Sequence, residues 1–138
     1  MFELACRAGP QSQSISVADI SAVQAIPPRF LNLILGELRQ GGFVESRRGA
    51  RGGYLLASSP AAVTVGDIIC FVDGPITPVN CIAGESGGNC QLWGKCAFLD
   101  MWRRARQAVT EVYDSTSLQN LVDDWKAREN NFVADYCI

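Results

Sequence analysis

Three cysteines, Cys81, Cys90 and Cys96, stand at C-x8-C-x5-C spacing in a stretch that also holds Gly84, Gly87 and Gly88. Three thiolates brought together on one loop suit a thiophilic metal, and iron–sulfur clusters are held chiefly by cysteine sulfur. Structural zinc sites use similar loops, usually with C-x2-C pairs that this chain lacks. Spacing alone therefore leaves a cluster, a zinc ion and unliganded thiols open. The chain has no histidine, which removes the commonest metal ligand and the usual general base. With no C-x-x-C pair and no phosphate-binding glycine loop either, a small thiol enzyme is disfavoured and the chain is read as not an enzyme.

A second concentration of chemistry is basic. Arg47, Arg48 and Arg51 lie in Arg-Arg-Gly-Ala-Arg-Gly-Gly, between strand candidates Phe43–Ser46 and Tyr54–Leu56. The glycines permit a tight bend and the arginines occupy its tip. Just before it, Leu31, Ile34, Leu35 and Leu38 recur at helical spacing, Pro28 suits a first helical position, and Gly41-Gly42 supply a left-handed stop. Ser16 and Asp19 predict a capped helix from Val17 to about Val23 ahead of it. Two helices joined by a short turn, then an arginine-tipped hairpin, outline a winged helix-turn-helix, with one helix for a major groove and the wing for phosphates or the minor groove. Gly36, inside the second helix at a cost of about 1 kcal/mol against Ala, is expected to permit close helix packing.

Length, 138 residues, bounds the chain to one domain's worth of core. The net charge of −2 conceals an asymmetry: residues 1–56 carry 6 Lys+Arg against 4 acids, whereas 57–138 carry 6 against 10. DNA binding would then rest on a local arginine patch and depend strongly on salt. No apolar run reaches membrane-spanning length, no secretory signal is evident, and a cytoplasmic protein is expected. Six cysteines in that compartment favour metal or redox chemistry over disulfides. Downstream, Thr64 and Asp67 predict a capped helix ending at Asp73-Gly74-Pro75, Gly94 to Asp114 carries the longest amphipathic pattern, and Thr116 with Gln119 caps a last helix. Cys70 is expected to be an inert buried thiol. Trp93, Trp102 and Trp125 are expected in the core or at a dimer contact. The organisation expected is a winged helix-turn-helix over 1–74, a cysteine loop over 75–93, and a dimerisation helix with a C-terminal helix over 94–138. The fold class is mostly α with a small β wing.

The run Ser46–Ala57, then Val65-Gly66-Asp67-Ile68-Ile69, Asp73-Gly74-Pro75 and three cysteines before a long helix resemble the bacterial Rrf2 family of winged-helix transcription regulators, the IscR, NsrR and CymR type. The resemblance spans about Ile15 to Asp124. It implies a homodimer on double-stranded, pseudo-palindromic operator DNA, acting as a repressor in the expected sense, with a 2Fe-2S cluster on Cys81, Cys90 and Cys96 tuning DNA affinity. It also places Pro27, Arg29 and Asn32 at base- and phosphate-contacting positions and Arg48 at the minor groove. Pro28, Arg39, Arg47, Arg51, Gly52 and Gly53 complete the expected DNA-binding set. Asn32 stands where some members carry a base-reading glutamate, and Leu99 where some carry a histidine ligand. Met1–Ala5 resembles the end of the family's first helix, so the chain is expected to be shortened there, and a cluster with three protein ligands to be labile or absent from the isolated chain. The alternative within the family is a cluster-free regulator answering to a protein partner or metabolite.

Overall fold

The computed structural model describes residues 1–9, 13–49, 52–84 and 87–134, with side chains to residue 130. Among the described residues there are six α-helices, two 3-10 turns (Pro60–Ala62 and Asn80–Ile82) and one two-stranded antiparallel sheet: α1 (Phe2–Cys6), α2 (Val17–Gln24), α3 (Pro28–Gln40), β1 (Val44–Arg47), β2 (Gly53–Leu56), α4 (Val65–Asp73), α5 (Leu99–Ser115) and α6 (Leu118–Ala134). The mostly helical class with a β wing is the one the sequence predicts.

α2, α4 and α6 begin where a side chain satisfies free backbone N–H groups. The Ser16 hydroxyl accepts from the Asp19 N–H at 3.1 Å and donates to its carboxylate at 2.7 Å, opening α2. α3 opens on Pro28, whose missing N–H costs nothing at that position. Between them Ala25 takes a left-handed φ of 51°. At the far end of α3 the left-handed residue is Gly42, at φ 75°, while Gly41 stays right-handed. The α6 cap differs from expectation. Ser117 and Asn120 form it, with Asn120 N–H donating to the Ser117 hydroxyl at 3.1 Å. Thr116 is spent elsewhere, its hydroxyl donating to the Val112 carbonyl at 2.6 Å. α5 also starts later than the amphipathic pattern, at Leu99, because residues 91–95 close in successive turns through Gly94 at φ 78°.

The chain divides into two compact units: Met1–Val63 with the stretch from Ser117 onward, and Thr64–Thr116. In the first, Leu4, Ile15, Ile20, Leu31, Leu35, Leu38 and Val44 form the core. Each such side chain contributes about 2 kcal/mol by leaving water. α6 packs on α1, and Phe2 meets Trp125 edge to face at 6.0 Å between centroids. In the second, α4 packs on α5 so closely that a Cβ at Gly66 would overlap the Asp114 carboxylate. Among the described residues no helix is long and apolar enough to cross a membrane.

The full reciprocal cap is on α4, where Thr64 N–H donates to Asp67 at 2.9 Å and Asp67 N–H to the Thr64 hydroxyl at 3.0 Å. The bond from the Thr64 N–H, and after it the Thr64 side chain, hold the Asp67 carboxyl below its usual range. Thr64→Ala is expected to cost about 1 kcal/mol at neutral pH. Because the folded pKa is depressed, the cap's contribution is complete above the ordinary aspartate range and fades as pH falls below about 4. The titrating partner is tested by Asp67→Ala, whose melting temperature should lie below wild type at neutral pH and converge with it at acid pH; a constant gap across pH would contradict the linkage.

Candidate nucleic-acid interface and cysteine loop

Burial of Leu31, Leu35 and Leu38 sets the rotation of α3 about its axis. Pro27, Pro28, Arg29, Phe30, Asn32, Leu33, Glu37, Arg39 and Gln40 are consequently exposed. The Asn32 amide nitrogen donates back to the Pro28 carbonyl at 3.0 Å, and Arg39 reaches the Ser46 hydroxyl on β1 at 3.4 Å. Gly36 corrects the packing expectation, since a Cβ there would meet nothing within 4 Å.

The wing is anchored at its base. β1 pairs with β2 in the register Val44 with Leu56 through Arg47 with Gly53. Ile15 adds a third strand's worth of bonding to β2, exchanging two 2.9 Å hydrogen bonds with Tyr54. That approach is why residue 53 is glycine: a Cβ there would overlap the Ile15 carbonyl. At Gly52 a Cβ would lie 2.8 Å from the Arg47 and Gly49 carbonyl oxygens. Arg47 and Arg48 are exposed; Arg51 lies outside the described residues.

Among the described residues the ion pairs are Arg7 with Glu3 and Arg103 with Asp100. Arg29, Arg47 and Arg48 thus present uncompensated charge from one unit, a pattern suited to polyanionic backbone.

Residues 1–124 match the Rrf2 family, described as iron-dependent transcriptional regulators. The chain belongs to the Rrf2 family. It is similar to the HTH-type transcriptional regulator CymR of Bacillus subtilis, 39% identical over 121 residues covering 88% of this chain and 80% of the relative. A solved structure of B. subtilis CymR, described as the global cysteine regulator of that organism, superposes with a TM-score of 0.71 at 37% identity, over 88% of this chain and 86% of that one. The T. potens IscR structure superposes with a TM-score of 0.70 at 28% identity, over 89% and 77%. The protein is therefore a DNA-binding transcription regulator of the CymR and IscR kind, and not an enzyme.

In this Rrf2 chain the cysteine loop belongs to the second unit. Cys81 sits in the 3-10 turn Asn80–Ile82, Cys90 and Cys96 flank the turns at 91–95, and all three are free and half-buried. Two arginines of α5 order the loop, a role the sequence reading did not assign them. Arg106 donates to the Ile82 carbonyl at 2.6 Å, and Arg103 lies 5.6 Å from the centre of the Trp93 ring. That ring covers Gly87, where a Cβ would collide with it. Three-residue spacing on one helix was the available signal. No group of three or more Cys, Asp or Glu among the described residues is arranged to hold a metal ion. The donor chemistry suits a cluster, but the loop as folded here does not gather the sulfurs around one. Cys70 corrects another expectation, because it lies on the exposed side of α4 instead of in the core. Cys6 is half-buried on α1, and burial, then Glu3, push its thiol pKa up. Cys137 lies outside the described residues.

A pair of wing variants separates contact from scaffold. Arg48→Ala is expected to leave the melting temperature unchanged, weaken operator binding roughly tenfold and lower the log–log salt slope by about 1. Gly53→Ala is expected to lower stability by about 2–4 kcal/mol by breaking the Ile15 bridge. Equal melting temperatures for the two would contradict the assignment.

Proposed function

We propose that this Rrf2 regulator binds a pseudo-palindromic operator as a homodimer, with α3 in the major groove, the wing arginines on the backbone or minor groove, and the sulfur state of the cysteine loop tuning affinity. The carrying observation is that α3 and the wing present Arg29, Arg47 and Arg48 without ion-pair partners from one rigidly cored unit. The DNA-binding set is accordingly Pro27, Pro28, Arg29, Asn32, Arg39, Arg47, Arg48, Arg51, Gly52 and Gly53, the two glycines acting through the hairpin backbone.

Support for the dimer comes from α5. The helix has no buried residue, and Met101, Val109 and Val112, with Phe98 at its cap, leave an apolar stripe exposed. A second copy lying along that stripe would cover it and set two α3 helices on two half-sites. Met101→Glu with Val109→Glu should shift the protein from dimer to monomer in sedimentation at micromolar concentration and weaken operator binding at least a hundredfold. A wild-type monomer at that concentration would remove the proposal's basis.

Sensing is assigned to the loop because its cysteines lie among contacts that a change at sulfur can reach: Trp93 on Gly87, Arg103 on Trp93, and Arg106 on Ile82. Cys90 lies inside this turn, its N–H donating to Gly87 and its carbonyl accepting from Trp93. The likeness to a CymR described as a cysteine regulator supports a cluster-free regulator that follows cysteine or sulfur supply. A second reading, a 2Fe-2S cluster on Cys81, Cys90 and Cys96, is favoured by three soft sulfur donors in one loop and by the family's iron-dependent description. Protein purified without oxygen should lack stoichiometric iron and sulfide and still retard operator DNA. Stoichiometric iron and sulfide with a stable visible spectrum would select the cluster instead.

A further inference from the structure

The outward surface of α3 carries two bare apolar side chains among its polar ones. Opposite the buried leucines lie Arg29, Leu33, Gly36 and Gln40, at i, i+4, i+7 and i+11. Leu33 is 63% exposed and Phe30, one turn earlier beside it, 58%. A single exposed leucine means little, but here two large apolar side chains share a surface with a helix-interior glycine. Gly36 is a costly residue at that position, and nothing in the fold needs the space, because an added Cβ meets only open surroundings. What the glycine permits is close approach of the helix backbone to something outside the molecule. Asn32, the polar residue flanking the stripe, already commits one amide N–H to the Pro28 carbonyl. The charges around it, Arg29 and Arg39 on the helix and Arg47 and Arg48 on the wing against Glu37 and Glu45, leave a net positive balance that matches phosphate and not an apolar protein surface. In the major groove the one apolar group on a base-pair edge is the thymine C5-methyl.

We propose that Leu33, with Phe30 beside it, reads thymine methyl groups in the operator half-site, and that Gly36 lets α3 settle deep enough into the groove for that contact. The occupant is duplex DNA bearing A·T pairs beneath residue 33, so specificity here is van der Waals in kind. This rests on the major-groove placement of α3 proposed above, and the experiment keeps the two apart.

The full-length protein selects duplexes from a random library, and each thymine of the selected site is then replaced singly by deoxyuridine, which removes only the methyl. Burying one methyl is worth about fourfold in affinity, so at least one position per half-site should weaken by about that factor. In Leu33→Ala the thymine–uracil difference at that position should vanish while the salt slope stays as in wild type. Gly36→Ala should raise the melting temperature by about 4 °C yet weaken the selected duplex at least tenfold, with random duplex bound as before. Uracil tolerated everywhere by a protein that still binds its selected site would overturn the inference and leave the regulator reading standing. Gly36→Ala binding like wild type would overturn the close approach. Failure to retain any duplex at low salt would instead defeat the underlying reading. Leu33→Ala that binds DNA normally but changes the oligomeric state would assign the stripe to a protein contact. Both substitutions lie on an open surface, and circular dichroism confirms the fold in each.

Discussion

A helix buried along one stripe has only one rotation at which its apolar side chains leave water, and in α3 that stripe is Leu31, Leu35 and Leu38. With each contributing about 2 kcal/mol, turning the helix by even one residue's angle would expose most of that gain. The orientation of Arg29, Asn32, Leu33 and Gly36 is thus a by-product of core packing. The surrounding structure serves the same end. Ile15, Ile20 and Val44 share one core cluster with these leucines, so the start of the wing is held by the core that holds α3.

The wing extends this logic through backbone rather than side chains. A two-stranded hairpin alone is marginal in water, and this one is steadied by the Ile15–Tyr54 exchange, which only a residue without a Cβ at position 53 allows. Exposed arginines gain little from one another, so a stiff base matters more than contacts at the tip. Arg39 reaching toward Ser46 links the reading helix to the first wing strand. Helix and hairpin therefore present their cations as one surface, which is what a groove and its flanking phosphates require.

The cysteine loop follows a contrasting design. Its stability comes from cations on α5 acting on a ring and a carbonyl, with the glycine at 87 making room for the ring. Such contacts are few, and a segment so held opens at low cost compared with a leucine core.

Much of this was legible in the sequence because it is local. Helical spacing in α3, the caps at Ser16 and Thr64, the glycines of the hairpin and the hairpin itself all follow from residues within about ten positions of one another, where sterics and backbone hydrogen bonding dominate. The family pattern was legible for the same reason, being a set of short runs. What the folded chain alone decided depends on residues far apart. Residue 82 meets residue 106, Ile15 meets Tyr54, and α6 returns to pack on α1. Cys70 faces outward, Gly36 fronts open space, and three thiols that share a loop do not converge. Exposure and convergence are set by what packs on the other side, and periodicity along the chain carries no record of that neighbour.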